Sequence, residues 1–141
     1  MDVETIFADT NLFLRYLTND VPKQAGAVEA LLHSAAQGKT ALVTTSLVIA
    51  EIIWTLESFY KLSREEIKNR VLAILHTPGL QVTDADLVLH AIVWYAEKNV
   101  DFIDAYNAAW MLREGVDKAS TFDRKHFDRF DGISVEVPGS K

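Results

Sequence analysis

Apolar positions along the chain change spacing in a regular way, and that change predicts the elements. Val3 to Ala8 is short and ends apolar, in Ile6, Phe7 and Ala8, which suits a buried strand. After Asp9 and Thr10, the residues Leu12, Phe13, Tyr16 and Leu17 follow helical spacing. Pro22 opens a second helix with Val28, Leu31, Leu32, Ala35 and Ala36 on one face, and Gly38 is placed to close it. Ala41–Thr44 reads as a strand, and a long helix starts near Thr45 or Ser46 and runs to about Tyr60. Ser63 with Glu66 makes a capping box for a helix carrying Ile67, Val71, Ile74 and Leu75, which Pro78-Gly79 ends. Leu80–Thr83 is a third strand. Leu87, Val88, Ala91, Ile92 and Tyr95 mark another helix, and a further one spans Asp101 to about Glu114 before Gly115. Ala119–Phe122 and Ile133–Val137 are the last strands.

Short strands alternating with helices predict an α/β fold, a mainly parallel central sheet with helices on both faces. Neither repeats nor low-complexity linkers divide the sequence, so a single domain with an ordered core over about residues 3–137 and a short polar tail is expected. In such sheets ligands sit beyond the carboxyl ends of the strands, so residues directly after each strand matter most.

Four acids draw attention by position. Asp9 follows the first strand and is either a helix N-cap or a site residue. Glu51 lies within SLVIAEIIWTL, where Leu47 and Trp54 flank it on the helix surface. That flanking suggests burial, and a buried unpaired carboxylate is costly; the other reading is an exposed stripe of Glu51, Thr55 and Ser58. Asp104 falls in the first turn of its helix, where the dipole favours a carboxylate, and the small Ala105, Ala108 and Ala109 beside it would let another element come close. Asp101 is most simply that helix's N-cap. Asp123 follows a strand and reads as either a turn residue or a site acid.

Composition narrows the chemistry. Acids outnumber Lys and Arg 20 to 14 over 141 residues, a net charge of -6, which argues against a generic cationic nucleic-acid or membrane binder. Cysteine is absent, so disulfides, thiolate metal sites and cysteine nucleophiles are excluded. The start, MDVETIF, lacks a basic n-region and the longest apolar run is short, so a cytoplasmic protein is expected. Two carboxylates about 4 Å apart repel by about 4 kcal/mol at an effective dielectric near 20, so convergence of the four acids would require a cation. All-oxygen ligands favour Mg²⁺ or Mn²⁺. The four histidines show no ligand-like spacing, and His126 alone is near a candidate acid.

The segments FADTNLFLRYL, LVIAEIIW, FIDAYNAA and STFDRKHF occur in this order. Together they resemble PIN-domain ribonucleases, most closely the VapC-type toxins of prokaryotic toxin–antitoxin pairs, over nearly the whole chain. The resemblance implies that Asp9, Glu51, Asp104 and Asp123 form an acidic quartet holding one or two Mg²⁺ or Mn²⁺ ions. It implies that Thr10, Asn11 and Thr121 orient the acids or a water on the metal, with Asp101 in a less defined supporting role. It further implies metal-dependent hydrolysis of RNA phosphodiester bonds, a homodimer and a VapB-like antitoxin as partner. A net-negative protein must then bind a polyanion. Two divalent ions would cancel four of its six excess negative charges, and Arg15, Arg124 and Lys125 are candidate RNA contacts. Trp54, Phe59, Tyr60, Trp94, Tyr95 and Trp110 divide between core and partner surface. Two other classes compete: a receiver-like phosphotransfer domain, disfavoured because Asp9 stands alone after its strand and no central strand ends in aspartate, and a non-catalytic binding module whose acids are unrelated caps.

Overall fold

The computed structural model describes residues 3–139, so Met1, Asp2 and the last two residues of the expected polar tail lie outside the described residues. Within this span the chain forms two compact units, Met1–Ala85 and Asp86–Lys141 by their bounds.

The first unit holds β1 (Glu4–Phe7), α1 (Thr10–Thr18), α2 (Pro22–Ala36), β2 (Thr40–Thr44), α3 (Ser46–Ser58), α4 (Arg64–Leu75) and β3 (Leu80–Val82). The three strands pair in parallel in the order β1-β2-β3, with Phe7 opposite Val43 and Thr44 opposite Val82. Each helix starts where its sequence provides the means. Pro22 occupies the first turn of α2, the Thr45 hydroxyl accepts from the Val48 amide to cap α3, and both bonds of the Ser63–Glu66 capping box are formed. Leu42, Ile49, Ile52, Leu56, Ile67 and Val71 are fully buried.

The carboxyl ends of these strands are tied together by short polar links. The Ala8 amide donates to the Val43 carbonyl at 2.8 Å, and the buried Thr44 hydroxyl donates to the Ala8 carbonyl at 2.8 Å. On the far side the Thr83 amide donates to the Thr44 carbonyl at 3.0 Å. The chain therefore leaves β1 at a fixed point, and Asp9 is the first residue beyond it.

The second unit contains α5 (Ala85–Lys98, beginning at the boundary), α6 (Phe102–Arg113), β4 (Lys118–Ser120), a 3-10 turn at Arg124–His126, and β5 (Ser134–Glu136). All five apolar residues expected on one face of α5 are buried, as are Ala105, Ala108 and Ala109 of α6. β4 and β5 pair with each other in parallel. The expected parallel pairing is present, but the strands form a three-stranded and a two-stranded sheet where one central sheet was expected. The late strands are three residues each, too short to show their partners through alternation alone.

Gly79 shows what the β3 approach requires. Its φ is +80°, and a Cβ there would lie 2.2 Å from the Ala35 carbonyl oxygen, whereas one at Gly38 (φ +78°) would meet nothing within 4 Å. Both alanine variants incur the left-handed cost of about 1–2 kcal/mol; only Gly79→Ala adds an overpacking penalty, on the order of 1–3 kcal/mol. Denaturant unfolding of the two variants should therefore rank Gly79→Ala below Gly38→Ala by at least ~1 kcal/mol.

Candidate active site

The first acidic pair is set by β1 and α3. Asp9 has the extended backbone of an N-cap residue, yet its side chain makes no capping hydrogen bond. Its carboxylate is exposed and not engaged by the helix it precedes. Thr10 is buried in the first turn of α1, and its hydroxyl donates a short hydrogen bond to Glu51 Oε1. That bond brings the start of α1 and the second turn of α3 together although they are far apart in sequence. Asn11 is exposed on the same first turn.

Glu51 itself is exposed, which corrects the expectation of burial. The buried stripe of α3 is Val48, Ile49, Ile52, Ile53 and Leu56. Leu47 and Trp54, whose apolar character suggested burial, lie on the opposite face and are 79% and 67% exposed. Apolar residues on both faces of a helix make hydrophobicity a poor guide to which face is inside.

The second acidic set lies on α6 and the segment after β4. Asp101 caps α6, accepting from the Ile103 amide at 3.2 Å, as its position suggested. Asp104 is half-buried. Loss of hydration raises its pKa above the usual carboxylate value; His126 acts against this, while Asp101 and Asp123 add to it. The His126 contact thus only partly offsets burial.

Asp123 is exposed and serves its own turn. Its Oδ1 accepts from the Lys125 amide at 3.2 Å, and its backbone amide donates to Thr121 Oγ1 at 3.1 Å, so the Thr121 side chain holds the backbone of this residue. Its Oδ2 lies 3.1 Å from His126 Nε2, while His126 Nδ1 lies 3.4 Å from Asp104 Oδ2. The imidazole therefore bridges two acids, a role that sequence spacing did not reveal beyond His126 standing three residues after Asp123. Arg129, which the sequence did not single out, donates from Nη1 to the carbonyls of Lys98 and Asn99, both at 3.0 Å, and fastens the segment to the end of α5. A cavity of about 240 Å³ here is lined in part by Asp101, Asp104, Lys125, His126 and Arg129.

The candidate RNA contacts differ. Arg15 is committed locally, donating from Nε to Gln24 Oε1 at 2.7 Å and lying 3.5 Å from Asp20. Asp20 in turn accepts from the Tyr60 hydroxyl at 2.6 Å, and that bond leads the causes holding its carboxyl below the usual range. Lys125 lines the cavity beside Asp104, and Arg124 is exposed on the same turn. A different cavity of about 370 Å³, among α1, α2 and α4, contains none of the four acids.

Among the described residues, no three acidic or histidine side chains are gathered as a formed metal cage. The donors nonetheless suit a hard divalent cation. Asp9 and Glu51 offer oxygen alone, and Asp104 and Asp123 present carboxylate oxygens on either side of the His126 ring.

The PIN domain family matches residues 6–133 of the chain. Over 117 residues the chain is also 26% identical to a VapC ribonuclease of Aquifex aeolicus (strain VF5), which covers 83% of this chain and 86% of that protein.

The raised pKa of Asp104 has a signed consequence. A carboxyl whose folded-state pKa lies above its unfolded value favours folding when protonated and opposes it when ionised. Asp104→Asn should therefore raise the melting temperature at pH 7. The gain should shrink as pH falls through the folded-state pKa and vanish below the unfolded one, as thermal melts across pH 2.5–7 would record.

Proposed function

We propose, since the chain belongs to the PIN-domain family, that it is a metal-dependent endoribonuclease, the toxin of a type II toxin–antitoxin pair. The likeness to a VapC ribonuclease supports this reading. The observation that carries it is the arrangement after β1: an aspartate at a cap position that does no capping, followed by a buried threonine whose hydroxyl is spent on Glu51. A cap-only account of these acids leaves both facts without a cause.

In this reading the chain is one nuclease domain, and Asp9, Glu51, Asp104 and Asp123 are the acids that hold one or two Mg²⁺ or Mn²⁺ ions. A bound divalent ion would supply Lewis acidity toward the scissile phosphate and ease the loss of a proton from water. The chain's own residues hold and orient. Thr10 fixes Glu51, Thr121 fixes Asp123, and Asp101 secures the start of the helix that carries Asp104. Water attacks phosphorus in line with the departing 3′ oxygen, the P–O3′ bond breaks, and the 3′ oxygen leaves with a proton. A serine, cysteine or histidine nucleophile is not required. In this reading Lys125, on the wall of the cavity beside Asp104, and the exposed Arg124 meet the RNA backbone, whereas Arg15 is engaged by Asp20 and Gln24.

No helix among the described residues is long and apolar enough to cross a membrane; we place the protein in the cytoplasm, with a second copy and a VapB-like antitoxin as partners. Leu47, Trp54 and Phe59 on and just after α3 are all more than two-thirds exposed, and exposed apolar groups of this size favour protein contacts. Tyr95, by contrast, is fully buried.

A ribonuclease assay on defined RNAs with Mg²⁺ or Mn²⁺ tests the reading. Asp9→Asn and Glu51→Gln should each lose more than the ~10–100-fold that removal of an outer-shell partner costs. Full metal-dependent cleavage by either variant would sink the assignment.

A further inference from the structure

We propose that His126 is a nitrogen ligand of the divalent ion, binding through Nε2 together with Asp123, with Asp104 orienting the ring through Nδ1. This rests on the metal-dependent reading above and adds to it a donor outside the acidic quartet.

The ring's two nitrogens face two different carboxylates, Asp104 at 3.4 Å and Asp123 at 3.1 Å. A ligating histidine characteristically has its second nitrogen turned to a carboxylate that fixes its tautomer and orientation. Asp104 suits that part, being the half-buried one of the two. Asp123 suits the other, since it is exposed and its Oδ2 is not used in the turn. Two neighbouring ligands of an octahedral ion with bonds of about 2.1 Å lie about 3.0 Å apart. The Nε2–Oδ2 separation of 3.1 Å already matches such an edge.

The backbone brings the pair together. His126 ends the 3-10 turn Arg124–His126, and Asp123, three residues earlier, is its N-cap. Thr121 holds the turn at its start, and Arg129 holds the chain just past its end. The adjoining cavity gives room for waters and a phosphate to complete the coordination, with Lys125 and Arg129 on its walls. A nitrogen donor shifts preference along the first-row series, away from Mg²⁺ and toward Mn²⁺, Co²⁺ and Ni²⁺.

Pulsed electron paramagnetic resonance on the full-length protein loaded with Mn²⁺ alone tests this without reference to cleavage. The expected result is a directly coordinated ¹⁴N coupling in wild type that His126→Ala abolishes and His90→Ala leaves intact. Calorimetry should show Co²⁺ binding weakened in His126→Ala by more than the ~10–100-fold that loss of an outer-shell partner costs, and Mg²⁺ binding weakened much less. Absence of ¹⁴N coupling in wild type, its persistence in His126→Ala, or tighter Mn²⁺ binding by that variant would each overturn the proposal; the last would make the ring a competitor of the ion. Absence of coupling in the wild type overturns the proposal even if His126→Ala fails to fold. Nitrogen coordination without RNA cleavage would keep the ligand and sink the ribonuclease reading, while cleavage with Mn²⁺ but no coupling would do the reverse.

Discussion

Like charges repel, and the repulsion grows as water is withdrawn. Asp104 is where that constraint is felt: burial raises its pKa, and Asp101 and Asp123 push in the same direction. An acid in this setting is a liability to folding unless a positive charge is supplied. The His126 imidazole is the group that reaches both Asp104 and Asp123. Much else in the second unit follows from the need to keep these groups in reach, including the turn that Asp123 caps and the Arg129 bonds that fasten the segment to α5.

The first unit meets the constraint differently. Asp9 and Glu51 are exposed, so solvation rather than a counter-charge carries their cost. Among the described residues, Glu51 Oε1 accepts from the Thr10 hydroxyl. These two carboxylates keep most of their accepting capacity, which is what a cation-binding role demands.

The helices were legible in the sequence because their signals are local. Pro22, the Ser63–Glu66 box and the α5 stripe each act within a few residues, and each has its expected effect. Asp101 as a cap was legible for the same reason. The division into two sheets was not, because three-residue strands carry no pattern that names a partner. The exposure of Glu51 was misjudged because Leu47 and Trp54 are apolar without being inside. The bridging of Asp104 and Asp123 by His126 joins a helix to a turn, and only the fold brings those together.

Thr44 lies almost fully out of reach of solvent at the end of β2, with its hydroxyl on the Ala8 carbonyl. A strand shifted by one residue would point its side chains to the wrong face and leave that hydroxyl with no acceptor, at a cost of about 1–3 kcal/mol. Thr44 thus works as an alignment check on β1. The position of Asp9 is measured out by the ladder of the sheet, so a chain whose strands pair out of step is penalised before any chemistry can begin.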